Sequence, residues 1–81
     1  AYRVVVNSET AEFNRKGKSV FCKFIEGIDS NLKCLDECIV VTPKDELIAY
    51  GKLMIGPKEI ELKQQGMAVR VRSGIEYSNK S

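Results

Sequence analysis

Gly66-Met67-Ala68-Val69-Arg70-Val71-Arg72-Ser73-Gly74, near the end of the chain, is the stretch whose reading decides the fold. Read as a strand, its side chains alternate faces. Met67, Val69 and Val71 are then expected on a core face, and Ala68, Arg70 and Arg72 on the other. Strand rise sets the two guanidiniums about 7 Å apart, with only the small Ala68 beside them. Two fixed cations along an open backbone suit a phosphate chain better than a single carboxylate. The same residues read equally well as an amphipathic edge strand with solvated arginines. Gly66 and Gly74 bracket the strand and permit a turn at either end.

Working back from this strand, the N-terminal residues 2–6 are valine-rich and read as a first strand. Asn7 or Ser8 offers an N-cap. Glu9 and Glu12 early, with Arg15 and Lys16 late, suit the dipole of a short helix over 8–16 that ends on Gly17. Residues 19–25 read as a second strand, with Val20, Cys22 and Phe24 inward. Phe21 is expected beneath the preceding helix rather than presented to a base. Residues 26–36 read as a loop rich in acids and turn formers. A strand over 37–42, a tight turn at Pro43-Lys44-Asp45 and a long strand over 46–54 follow. Gly51 marks a bulge or bend in that long strand. Gly56-Pro57 opens a second short helix whose strong apolar residues are Ile60 and Leu62. Residues 1–76 thus read as one domain and 77–81 as a loose tail.

The 81 residues make a single small domain that buries only about 60–65% of its unfolded surface, so its core is thin. Thirteen basic and eleven acidic residues leave a net charge of +2, too little to identify a nucleic-acid binder by bulk charge. Distribution says more. Arg15, Lys16, Lys18 and Lys23 cluster where the first helix gives way to the second strand, and Arg70 and Arg72 form a second group. Glu26, Asp29, Asp36, Glu37, Asp45 and Glu46 gather mid-chain, so a basic face and an acidic face are expected if the first helix and last strand lie side by side.

Several kinds of chemistry are disfavoured. The chain has no histidine, the usual general base and the commonest metal ligand. Cys22, Cys34 and Cys38 lack the spacing of a structural zinc site, and Cys22 and Cys38 read as core residues. Gly17-Lys18-Ser19 and Gly56-Pro57-Lys58 lack the full phosphate-loop pattern. No apolar run approaches a membrane span, and no targeting segment is evident. A cytoplasmic setting with free thiols, no metal and no cofactor is the expectation.

The chain resembles the PUA domain, in the form found at the C-terminus of archaeal tRNA-guanine transglycosylases, over about residues 3–75. The resemblance is carried in family order by Arg3-Val4-Val5-Val6; Gly17-Lys18-Ser19-Val20-Phe21-Cys22-Lys23-Phe24; Asp36-Glu37-Cys38-Ile39-Val40-Val41; Glu46-Leu47-Ile48-Ala49-Tyr50-Gly51; and the Gly66–Gly74 segment. It implies a mixed α/β, mainly β fold, a small pseudobarrel of about five to six short strands with two short helices. It also implies a non-catalytic module that binds structured RNA, tRNA above all, for a catalytic transglycosylase domain or subunit. The RNA-binding residues it implies are Arg15, Lys16, Gly17, Lys18, Lys23, Ala68, Arg70 and Arg72. Two residues depart from the family pattern. Leu35 stands where glycine is usual, so the 26–35 loop is expected to turn in its own way, and Cys22 stands where alanine is usual. The alternative is a protein-interaction or structural β module, favoured if Arg70 and Arg72 are paired with acids.

Overall fold

The computed structural model describes residues 2–63 and 65–75; the expected tail over 77–81 lies outside them. Six strands form one sheet: β1 (Arg3–Val6), β2 (Val20–Phe21), β3 (Ile25–Ile28), β4 (Glu37–Val41), β5 (Leu47–Leu53) and β6 (Met67–Gly74). Two helices accompany them, α1 (Ala11–Arg15), entered through a 3-10 turn at Ser8–Thr10, and α2 (Pro57–Lys63). The strand order is β2-β6-β5-β4-β1-β3, antiparallel throughout except where β1 runs parallel to β4.

The two edge strands are neighbours in sequence. Only a 3-10 turn, Cys22–Phe24, separates β2 from β3, so the sheet must curl until its edges nearly meet. Asn7 N donates to Phe24 O at 2.8 Å and Cys22 N donates to Gly66 O at 2.9 Å, fixing the turn from both sides of the seam. A single strand over 19–25 was expected. It breaks because its first half must pair with β6 and its second with β1. For the same reason the expected loop begins late: residues 26–28 belong to β3, with Ile28 opposite Val4. Closure gives one core, built on Val4, Val6, Val20, Val40, Ile48, Leu53 and Val69, each 0–1% exposed. The helix α2 contributes Ile60 to this core and leaves Leu62 in solvent.

Helix α1 is set by its ends. Asn7 Oδ1 accepts from Glu9 N at 2.7 Å. At the other end Gly17 takes φ +97°, with Gly17 N bonded to Asn14 O at 3.0 Å and Lys18 N to Phe13 O at 3.1 Å. This pair of bonds is the Schellman closure that glycine permits. Buried Asn14 then donates through Nδ2 to the carbonyls of Lys18 and Ser19, pinning the turn to the start of β2.

Strand β6 carries an irregularity against each neighbour. Opposite β5 the register slips between Tyr50 and Gly51, leaving Arg72 as the extra residue. Gly51 is required here, because a Cβ would lie 2.5 Å from the Arg70 carbonyl oxygen. Opposite β2 the pairs are Val20–Val69 and Phe21–Met67, leaving Ala68 as the extra residue. That bulge overturns the expected alternation. Met67, expected inside, is 40% exposed, and Ala68, expected beside the arginines, is fully buried.

Leu35 takes φ +75°, the region glycine favours. The Leu53 carbonyl accepts from Leu35 N, and Asp36 O accepts from Leu53 N at 2.9 Å, so the pairing with β5 holds the left-handed turn despite the side chain. An L-residue there costs about 1–2 kcal/mol, partly offset by the greater freedom of glycine when unfolded. Leu35→Gly is therefore expected to stabilise the domain by about 0.5–1 kcal/mol, because the Leu35 side chain is mostly in solvent. A urea midpoint that falls would refute this.

Burial, with Glu37 and Asp36 nearby, pushes the Cys38 thiol up from 9.0 to about 11. The folded state thus holds this proton more tightly than the unfolded state. Its stabilising contribution is intact below about pH 9 and is lost as pH rises towards about 11. Urea midpoints across that window should fall less in Cys38→Ala than in the wild type, and equal falls would exclude Cys38 as a source.

Candidate nucleic-acid interface

Backbone contact joins the first helix to the last strand. Gly74 ends β6 directly against the backbone of Arg15 and Gly17, and a Cβ on Gly74 would collide with both. The residue needed for this approach is glycine, for want of space rather than for a turn. Exposed Lys16 and Lys18 are thereby set at the C-terminal end of β6.

Further along, Arg70 and Arg72 project from the outer face over an open depression of about 660 Å3, lined also by Leu35, Lys52, Met54 and Val71. Lys52 on β5 is the register partner of Arg70. It is a third cation that the sequence reading did not include, since pairing between distant strands is not visible in local spacing. Arg70 is exposed and has no ion pair among the described residues. Arg72 Nη1 meets Glu37 Oε2 at 2.7 Å, with both side chains about 60% exposed.

Three of the sequence-derived residues do not join this stripe. Arg15 has its side chain only 10% exposed and ion-pairs with Glu12 at 3.2 Å and Glu46 at 3.7 Å, tying α1 to the start of β5. Ala68 is inside the barrel. Lys23 is exposed on the Cys22–Phe24 turn, its ammonium 5.2 Å from the Phe24 ring centre. It borders a separate depression with Glu26, Ile60 and Glu61. Three of the six mid-chain acids are drawn to bases from other segments: Asp45 to Arg3 at 2.9 Å, Glu46 to Arg15, and Glu37 to Arg72.

An apolar groove of about 260 Å3 lies between α1 and β2, beside Lys18. Phe13 and Phe21 line it and remain 60% and 48% exposed. Phe21 is thus not covered as expected, because α1 is short and turns Ala11, Asn14 and Arg15 inward instead. Of the helix, Phe13 comes to the same groove but leaves Phe21 open to solvent. Among the described residues no group of His, Cys, Asp or Glu could hold a metal. No helix there is long and apolar enough to cross a membrane.

The PUA domain family profile matches residues 2–75. The chain is 45% identical over 74 residues to a tRNA-guanine(15) transglycosylase of Thermococcus onnurineus, covering 91% of this chain and 13% of that protein. It is 49% identical over 73 residues to that of Methanococcus aeolicus, covering 90% and 11%. It therefore spans little more than a tenth of these relatives. Among solved structures, a chain of an H/ACA RNP bound to a substrate RNA containing 2′-deoxyuridine superposes with a TM-score of 0.88 and 27% identity, over 93% of this chain and 24% of that one. With the barrel, its two helices and the profile match in agreement, the chain belongs to the PUA domain family.

Proposed function

We propose that this domain is a non-catalytic module that holds tRNA, at its acceptor region, for a base-modifying enzyme of the tRNA-guanine transglycosylase kind. The observation that carries the reading is the seating of Gly74 on the Arg15–Gly17 backbone. It sets Lys16 and Lys18 at the end of β6, the strand that carries Arg70 and Arg72, with Lys52 beside them on β5. Such a row of exposed cations meets phosphates without reading sequence. This suits an A-form stem, whose deep groove side chains do not read. Phe13 and Phe21 add ring faces on which an unpaired base at the end of a stem can stack. Arg15 acts behind this surface by fixing the helix end, and Ala68 by packing the strand. The chain has no histidine, the usual general base, which suits a non-catalytic role.

A second reading, a module that docks on a protein, is favoured by the pairing of Arg72 with Glu37 and by one surface feature. Tyr2 and Tyr50, both nearly half exposed, line a depression of about 260 Å3 with Ile39 on the outer face of β4 and β5.

Salt titration of tRNA binding separates the two. Wild-type affinity on the order of 10⁻⁴ to 10⁻⁶ M at physiological salt is expected, falling with salt by about 0.7–0.9 log units per phosphate contact. Arg70→Ala and Lys52→Ala should each flatten that slope by about one contact and weaken different RNAs alike. Phe21→Ala should weaken binding by about 1–3 kcal/mol with little change in slope. Unchanged affinity and slope in all three would remove this face from RNA and give the lead to protein docking.

A further inference from the structure

Glu37 sits where the cations converge. It is the register partner of Lys52 on β5, which is in turn the partner of Arg70 on β6. Arg72 reaches it across β5, over about 10 Å of strand spacing, to close the 2.7 Å pair. A carboxylate is thus held beside a row of three cations, at the border of an open depression that has no acid in its own lining. The pair is exposed, and pairs of this kind shift an equilibrium by about fivefold at most. It is strong enough to occupy Arg72 in the free domain and weak enough to yield.

We propose that Glu37 is an internal competitor for phosphate, which RNA must displace from Arg72. This rests on the reading of the face as an RNA surface. An isolated phosphate gains little by the exchange, since it replaces one anion on Arg72 with another. A phosphate chain already engaged by Arg70 and Lys52 brings its next phosphate to Arg72 at high local concentration, and displaces the carboxylate. Glu37 therefore makes the surface selective for an extended phosphate backbone over mononucleotides and free phosphate.

The test uses the 81-residue chain, with folded tRNA and inorganic phosphate as ligands. Glu37→Gln keeps the shape and removes the charge. It should raise tRNA affinity about two- to fivefold at moderate salt and steepen the salt slope by about 0.7–0.9. It should also make inorganic phosphate a better inhibitor of tRNA binding. In an Arg72→Ala background the same substitution should lose most of its gain. An equal gain in that background would mark a general field effect and overturn the pairing role. Weaker binding in Glu37→Gln would make Glu37 a support that orients Arg72, also overturning the proposal. In either case Arg70→Ala still weakens binding and the RNA reading stands. If neither Glu37→Gln nor Arg70→Ala alters binding, the RNA reading itself fails.

Discussion

Three residues tie one edge of the sheet to the other, and the architecture follows from that tether. With β2 and β3 separated by Cys22–Phe24 alone, a flat six-stranded sheet is impossible, since its outermost strands would stand several strand spacings apart. Curling is the only solution, and it serves a small domain well. It directs valines from β1, β2, β4 and β6 into one core. It also leaves only short edges, a two-residue β2 and a four-residue β3, so little unpaired backbone invites another chain.

A barrel this small needs sharp adjustments, and these position the candidate surface. The Gly51 approach to Arg70, with Arg72 as the extra residue beside it, breaks the regular spacing of the two arginines. It lets Arg72 lean across β5 towards Glu37 while Arg70 stays beside Lys52. At the far end of the same strand, the bare Cα of Gly74 admits the end of α1. Strand β6, the glycine turn and the helix end therefore act as one unit. Strain at any of them would be felt at the cations as a change in direction rather than as a loss of charge.

Much of this was legible in the sequence, for identifiable reasons. The helix end at Gly17, the bend at Gly51 and the strand β4 follow from local rules of capping, turn chemistry and apolar runs. The order of elements came from the same local signals, and the family resemblance agreed with it. What was missed is non-local. Met67 and Ala68 exchanged places because a bulge opposite β2 resets the two-residue period, and nothing within β6 announces it. Arg15 looked like a surface cation by its place at a helix end, yet Glu46, distant in sequence, draws it inside. Lys52 escaped notice because it joins Arg70 only through strand pairing. Leu35 was noticed as a departure, but the bonding to Leu53 that holds its left-handed turn is again non-local.

The pairing of acids with bases also bears on how such a surface works. The described ion pairs join distant segments in three of four cases, so some of the charge that the sequence separates is brought together in the fold. The proposed surface offers a short row of cations, enough to orient a phosphate chain but not to hold it tightly. For an isolated domain that would be a weakness. For a segment matching about a tenth of longer relatives, weak contacts can suffice on the proposed reading. A tether to a catalytic domain raises the local concentration of RNA without any added contact. Tighter phosphate binding would instead favour every RNA equally, because the backbone is common to all of them. Discrimination then has to come from shape, from the stacking groove beside Lys18, and from how many phosphates the row can engage at once.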